Sequence, residues 1–108
     1  MTLTDIGNMM ASSGYPWHYS HFKKTPNMPY LVYYFPSEND VFADNSNMVN
    51  RRQLFIELFT REKDLTAEAT VEATLKANGL TWYKQTDFLS DELIFQTTYE
   101  MEVLINGE

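Results

Sequence analysis

Two histidines and three glutamates are the residues of this sequence whose types and spacing could do chemistry. His18 and His21 lie three apart on a run predicted to be a strand, so they point to opposite faces and cannot bind one metal ion. Glu57, Glu100 and Glu102 are predicted to share one sheet face, where paired carboxylates can do acid–base work. No candidate nucleophile, base or phosphate-binding glycine loop accompanies them. The sequence therefore predicts no enzyme, no metal and no cofactor.

Residues 37–50 are rich in Asp, Asn and Ser and are predicted to form a long hairpin arm. The acids suggest a calcium loop, but the alternating acids, central Gly and terminal Glu of an EF-hand are absent, so a solvated turn is favoured. A loop of this length in so small a domain is often functional, and it could reach onto a neighbouring molecule. The candidate arm residues are Asp40, Asp44, Asn45 and Asn47, with Phe42 in a short apolar island.

Composition and charge exclude several classes of protein. The 108 residues include no cysteine, which excludes disulfides and thiolate chemistry, and 44% are hydrophobic, as in a globular domain. No apolar run of about 18 residues occurs, so no transmembrane helix is expected, and the N-terminus lacks a secretory signal pattern. The net charge of −7 disfavours nucleic-acid binding, because phosphate affinity requires clustered Lys and Arg. We expect one domain over residues 1–108, working in a cytoplasm or in a particle assembled there.

Two helices are predicted from capping residues and apolar spacing. Thr2 and Asp5 match a capping box, and the following apolar residues predict a helix over residues 3–13 that stops at Gly14. Asp64 is the expected N-cap of a second helix over residues 65–78, which Gly79 follows in a left-handed cap. Its narrow Ala-rich stripe suits close packing on a sheet.

Five runs are predicted to be strands, over residues 17–22, 30–35, 51–59, 80–88 and 93–104. The last run alternates apolar and polar residues over about twice the usual strand length, so we expect it inside the sheet. Short connections favour antiparallel neighbours, except across the second helix, where a crossover is natural. The expected fold class is α+β: a mostly antiparallel sheet of four to five strands, with two helices packed on one face and a protruding hairpin arm.

The strands carry more aromatic residues than one core face requires. If Leu54, Ile56 and Leu58 point into the core, a set of aromatic residues is expected off its main face: Tyr33, Phe35, Phe55 and Phe59. Loops or the first helix would then cover them, or they would form a subunit interface, where aromatic residues are enriched. Together with Phe42 of the arm, they are the candidate subunit interface.

The order of these motifs resembles the tail terminator and tail completion proteins of long-tailed bacteriophages, across nearly the whole chain. The resemblance begins with a short helix, then the strand at Pro29–Phe35 and a protruding hairpin. It continues with the strand at Gln53–Phe59, an acidic helix, and a last strand that contains Thr98-Tyr99-Glu100-Met101. The order and spacing of these motifs carry the resemblance.

This resemblance implies a non-enzymatic structural protein of the virion, assembled in the host cytoplasm. Such a protein forms a ring, commonly of six copies, that caps the tail tube, ends tail growth and takes part in head–tail joining. Its partners would be the tail tube protein and a head-side connector protein, and DNA would pass without specific binding. The arm and the outer sheet face would make ring contacts, and Glu57, Glu100 and Glu102 would form an acidic channel face, which repels phosphates.

Two alternatives stay open on the sequence. A head-side connector or joining protein of the same particle would also be a small α+β subunit of a ring. A bacterial small-molecule or peptide-binding domain is the other alternative, with an aromatic groove formed by Trp17, Tyr19, Tyr33 and Trp82.

Overall fold

A computed structural model of the chain describes residues 1–36 and 49–106. Its elements are α1 (Leu3–Ser12), β1 (Trp17–Tyr19), β2 (Tyr30–Tyr34), β3 (Val49–Thr60), α2 (Leu65–Ala77), β4 (Tyr83–Leu89) and β5 (Ile94–Asn106). The described ranges leave out most of the predicted arm, including the candidate residues Asp40, Phe42, Asp44, Asn45 and Asn47.

Both helices begin at the predicted caps. The Thr2 hydroxyl accepts a hydrogen bond from the Asp5 backbone N–H at 3.1 Å, and the Asp5 carboxylate accepts one from the Thr2 N–H at 2.8 Å. This reciprocal pair is a capping box. The Asp64 carboxylate accepts from the Ala67 N–H at 2.9 Å. Gly79 follows α2 with a φ of +75°, as a left-handed cap requires.

The five strands form one sheet in the order β1-β2-β3-β5-β4. All neighbours are antiparallel except β1 and β2. The long strand β5 lies inside the sheet, as its length predicts. Because β5 lies between β3 and β4, these two strands run parallel, and α2 makes the expected crossover between them.

The expectation that short connections give antiparallel neighbours was wrong for β1 and β2, which are parallel. Strand β1 also ends earlier than predicted, at Tyr19, because Ser20 takes a left-handed φ of +69° and turns the chain away. Residues 20–29 then return without a helix to the beginning of β2. A connection of ten residues without a helix is therefore long enough to join these two short parallel strands.

Both helices pack on one face of the sheet and enclose a single core. Its most buried members include Ile6 and Met10 of α1, Val71 and Leu75 of α2, and Tyr99 of β5. The α+β fold, with its mostly antiparallel sheet and both helices on one face, is thus confirmed.

Two candidate interface residues belong to this core. Tyr33 is only 9% exposed and Phe35 only 5%, and the Arg52 guanidinium lies 4.1 Å from the centroid of the Phe35 ring. The prediction that they lie off the core face was wrong. Tyr33 pairs with Ile56, and paired residues point to the same face of a sheet, so Tyr33 joins the helix-covered side. Phe35 follows two residues later on that side.

Candidate interaction surface

The sheet face turned away from the helices carries a band of aromatic and acidic side chains. Neither helix packs on this face in residues 1–36 and 49–106. We call it the open face and define it by the alternation of β2, β3 and β5, which gives Tyr30, Val32, Tyr34, Gln53, Phe55, Glu57, Phe59, Gln96, Thr98, Glu100 and Glu102.

Two pairs of contacting aromatic rings lie on the β2–β3 half of the open face. The rings of Tyr30 and Phe59 stack with centroids 4.9 Å apart, and those of Tyr34 and Phe55 lie 5.5 Å apart. Each such pair contributes about 0.5–1.5 kcal/mol beyond area burial. Val32 lies between the two pairs and is only 5% exposed, whereas the four rings stay half-buried. Phe55 and Phe59 therefore lie off the core face, where the sequence places them.

Glu57 lies between these ring pairs, opposite Val32. The Tyr34 hydroxyl donates to its carboxylate at 3.0 Å, and the Gln96 side chain also hydrogen-bonds to it. Burial raises the pKa of Glu57, although both hydrogen bonds oppose this by stabilising the carboxylate. Burial and the neighbouring Glu57 charge raise the pKa of Tyr34 to about 12. The Tyr34 phenol is thus neutral at neutral pH and acts as the hydrogen-bond donor to Glu57.

The three predicted acidic residues share this face. Phe55 pairs with Glu100 and Gln53 with Glu102, so both glutamates point to the same side as Glu57. The Gln53 side-chain amide donates to the Glu100 carboxylate, and Arg51 Nε lies 3.2 Å from Glu102 Oε1 in an exposed ion pair. The carboxylates of Glu100 and Glu102 thus already have partners within the chain, a hydrogen bond from Gln53 and an ion pair with Arg51.

An ionic cluster beneath α2, in which only Glu68 is fully buried, was not predicted from the sequence. The Glu68 side chain is only 4% exposed and contacts Lys63 Nζ at 2.7 Å and Lys84 Nζ at 2.8 Å. Lys84 also contacts Glu72 at 2.9 Å, and the Tyr99 hydroxyl donates to Glu72 at 2.9 Å. The sequence did contain a signal: position 68 is three and seven residues before the buried positions 71 and 75, so it lies on the inward helix face.

The ionic cluster fixes α2 on β4 and β5 instead of preparing a catalytic base. Burial raises the pKa of Glu68, but the hydrogen bonds and charges of Lys63 and Lys84 outweigh it and hold the pKa below its ordinary value. The hydrogen bonds of Glu68 and Glu72 raise the pKa of Lys84. A carboxylate held ionised between two ammonium groups is a weak proton acceptor, so the arrangement is a structural anchor.

The four aromatic residues of the ligand-binding alternative do not form one groove. Trp17 and Tyr19 contact Tyr33 with centroids 6.0 and 5.3 Å apart, at the β1–β2 side of the core. Trp82 instead packs on Tyr99, at 6.2 Å, on the other side of β3. The two groups are separated by buried core, so the groove predicted from the sequence is absent from the described residues.

No protein-family model and no curated protein matches the sequence. Within the described ranges, no helix is long and apolar enough to cross a membrane. The same ranges contain no group of three His, Cys, Asp or Glu side chains that could hold a metal ion. The open face is the candidate site because it carries the aromatic pairs and the three predicted glutamates.

Proposed function

We propose that this chain is a non-enzymatic structural subunit that assembles through its open face. In its specific form, the proposal is that it caps the tail tube of a long-tailed bacteriophage as an oligomeric ring, ends tail growth and takes part in head–tail joining. The observation that carries it is the half-buried aromatic band on a sheet face that no described helix covers.

An aromatic band that no described helix covers favours association. Full burial of a Phe side chain stabilises by about 1.5–3 kcal/mol relative to exposure. A partner that covered the open face would complete the burial of four half-buried rings at once. Phe55 and Phe59 are already held by Tyr34 and Tyr30, so little side-chain entropy is lost on contact. Aromatic residues fixed in this way are typical of interface centres.

The acidic residues support the specific form of the proposal. Glu100 and Glu102 on the β5 side of the open face, with a net charge of −7, suit a channel through which DNA passes without binding. The resemblance of the motif order to tail terminator proteins implies the rest of the proposal: a ring, commonly of six copies, its place in the virion, and its contacts with the tail tube protein and a head-side connector protein.

The test is negative-stain electron microscopy of particles made from a phage genome that lacks this gene. We expect overlong tail tubes beside unattached heads, because the protein would stop tube growth and offer the head-binding surface. Tails of normal length beside unattached heads would instead assign it to the head-side joint. Intact infectious particles would overturn the structural role.

A further inference from the structure

Glu57 is a half-buried carboxylate without a cation from its own chain. All eight Lys and Arg residues of the sequence lie in the described ranges, and none of them forms an ion pair with Glu57 there. Its partners are the neutral donors Tyr34 and Gln96. Four of the cations are occupied elsewhere: Lys63 and Lys84 in the ionic cluster, Arg51 on Glu102, and Arg52 over Phe35.

An exposed basic doublet borders the same face. Lys23 and Lys24 follow Phe22, whose ring contacts Tyr30 at 5.5 Å and His18 at 5.4 Å at the β1–β2 margin of the open face. No ion pair to either lysine occurs among residues 1–36 and 49–106. The open face is thus basic at one margin and acidic from its centre towards β5.

We propose that Glu57 binds a lysine of a second copy of this chain, supplied by the Lys23–Lys24 doublet. The inference rests on the proposed function and deepens it by naming the contact between neighbouring subunits. A face that is acidic at its centre and basic at its margin is complementary to a displaced copy of itself. A head-to-tail contact, in which the basic margin of one copy meets the acidic centre of the next, can repeat from copy to copy around a ring.

The dimensions and surroundings of Glu57 suit such a contact. The margin beside β1 and the centre at β3 are two strands apart, about 10 Å at the usual strand spacing, so a modest displacement aligns them. Phe55 and Phe59 flank Glu57 two residues away on either side of the same strand face. A lysine could lay its apolar stem on these rings while its ammonium reaches the carboxylate, in a site from which water is partly excluded.

Charge exchange tests this contact by sedimentation velocity. The proteins are the unchanged chain, Glu57→Lys, and the double substitution Lys23→Glu with Lys24→Glu, each checked for fold by circular dichroism. We expect each variant alone to raise the dissociation constant of self-association about tenfold or more, because like charges then meet. An equimolar mixture of the two variants should restore association, since each supplies the charge that the other has lost. Asp91→Lys, an exposed turn position with the same charge change, is the matched control and should associate normally.

Each other outcome overturns the proposal in a distinct way. Unchanged association of Glu57→Lys would show that Glu57 is not in the contact. Loss of association in both variants without rescue by mixing would show that Glu57 binds another cation than the doublet. A folded, unchanged chain that stays monomeric up to about 1 mM would exclude this contact between copies. The ring could still form on the tail tube in that case, and the electron-microscopy experiment tests this separately.

Discussion

Burial raises the pKa of both Glu57 and Glu68, but the net shifts are opposite, because only Glu68 has lysines beside it that outweigh burial. The pKa of Glu68 is lowered from its ordinary 4.5 by Lys63 and Lys84, against the effect of burial. Its ionisation therefore stabilises the fold at pH values above 4.5, and this stability is lost as the pH falls through the lowered folded-state pKa. Burial raises the pKa of Glu57 above 4.5, so the folded state favours the protonated side chain. The stability that this gives is present below pH 4.5, and the free energy of unfolding decreases as the pH rises through the raised pKa.

Replacing Glu57 or Glu68 by the neutral glutamine should therefore change the stability of the chain in opposite directions at pH 7. Glu57→Gln should increase the free energy of unfolding at pH 7, because it removes a half-buried charge while the amide oxygen still accepts from Tyr34. Glu68→Gln should decrease it at pH 7, and the difference from the unchanged chain should shrink as the pH falls below 4.5. Urea denaturation at pH 7 and at two acidic values measures both. A change in the free energy of unfolding in the same direction for both substitutions at pH 7 would contradict the prediction.

Lys84 contacts the carboxylates of both Glu68 and Glu72. Lys84→Met should destabilise the chain by about 2 kcal/mol, less than the 3–5 typical of breaking a fully buried pair, because the lysine side chain is 37% exposed. Thermal and urea unfolding measure the change. Lys76→Met on the exposed end of α2 is the matched control and should change stability by less than about 0.5 kcal/mol. Similar values for both variants would show that the ionic cluster is not an anchor.

At the scale of the elements, the same substitution should have opposite effects at two glycines. Gly79 has a φ of +75°, so Gly79→Ala should destabilise the chain by about 1–2 kcal/mol. Gly7 lies inside α1, where an added methyl group would meet only Trp17 at an ordinary 3.5 Å, so Gly7→Ala should stabilise by up to about 1 kcal/mol. Paired thermal melts test both, and a destabilising Gly7→Ala would show that Trp17 cannot accommodate the methyl group.

The elements themselves were largely predictable because their signals are local. Capping residues marked the beginning of each helix, and alternating residues marked β5 as a half-covered strand. The direction of β1 was not predictable, because it depends on how residues 20–29 return along the sheet. The core positions of Tyr33 and Phe35 depend on the β2–β3 register, which tertiary pairing sets.

The candidate site was predictable only in part, because some of its contacts depend on how distant segments pair in the fold. Phe55, Phe59 and the three glutamates follow from alternation along their own strands, whereas the pairing of Tyr34 with Glu57 joins residues 23 positions apart. The ionic cluster needs three separate segments to meet beneath α2. No sequence pattern within one of these segments predicts that the three come into contact.

At the scale of the whole molecule, the two sheet faces should respond differently to an introduced charge. Phe55→Asp and Phe59→Asp should keep the circular-dichroism spectrum, with a loss of about 1–2 kcal/mol from each broken ring pair, and should block association. Tyr33→Asp should unfold the chain, because it buries an unpaired carboxylate in the core. Circular dichroism and sedimentation velocity measure the two properties. Loss of fold in Phe55→Asp or Phe59→Asp would show that these rings are core residues and not contact residues.

The position of β5 also determines when the molecule can fold during its synthesis. β5 lies between β3 and β4 in space, but it is the last of the described elements along the chain. Until residues 94–106 leave the ribosome, β3 has an unpaired inner edge and β4 has no neighbour. Such edges are templates for pairing with other nascent chains. We therefore expect the sheet to close in one late step, and ribosome-bound chains that end before residue 94 to stay sensitive to protease.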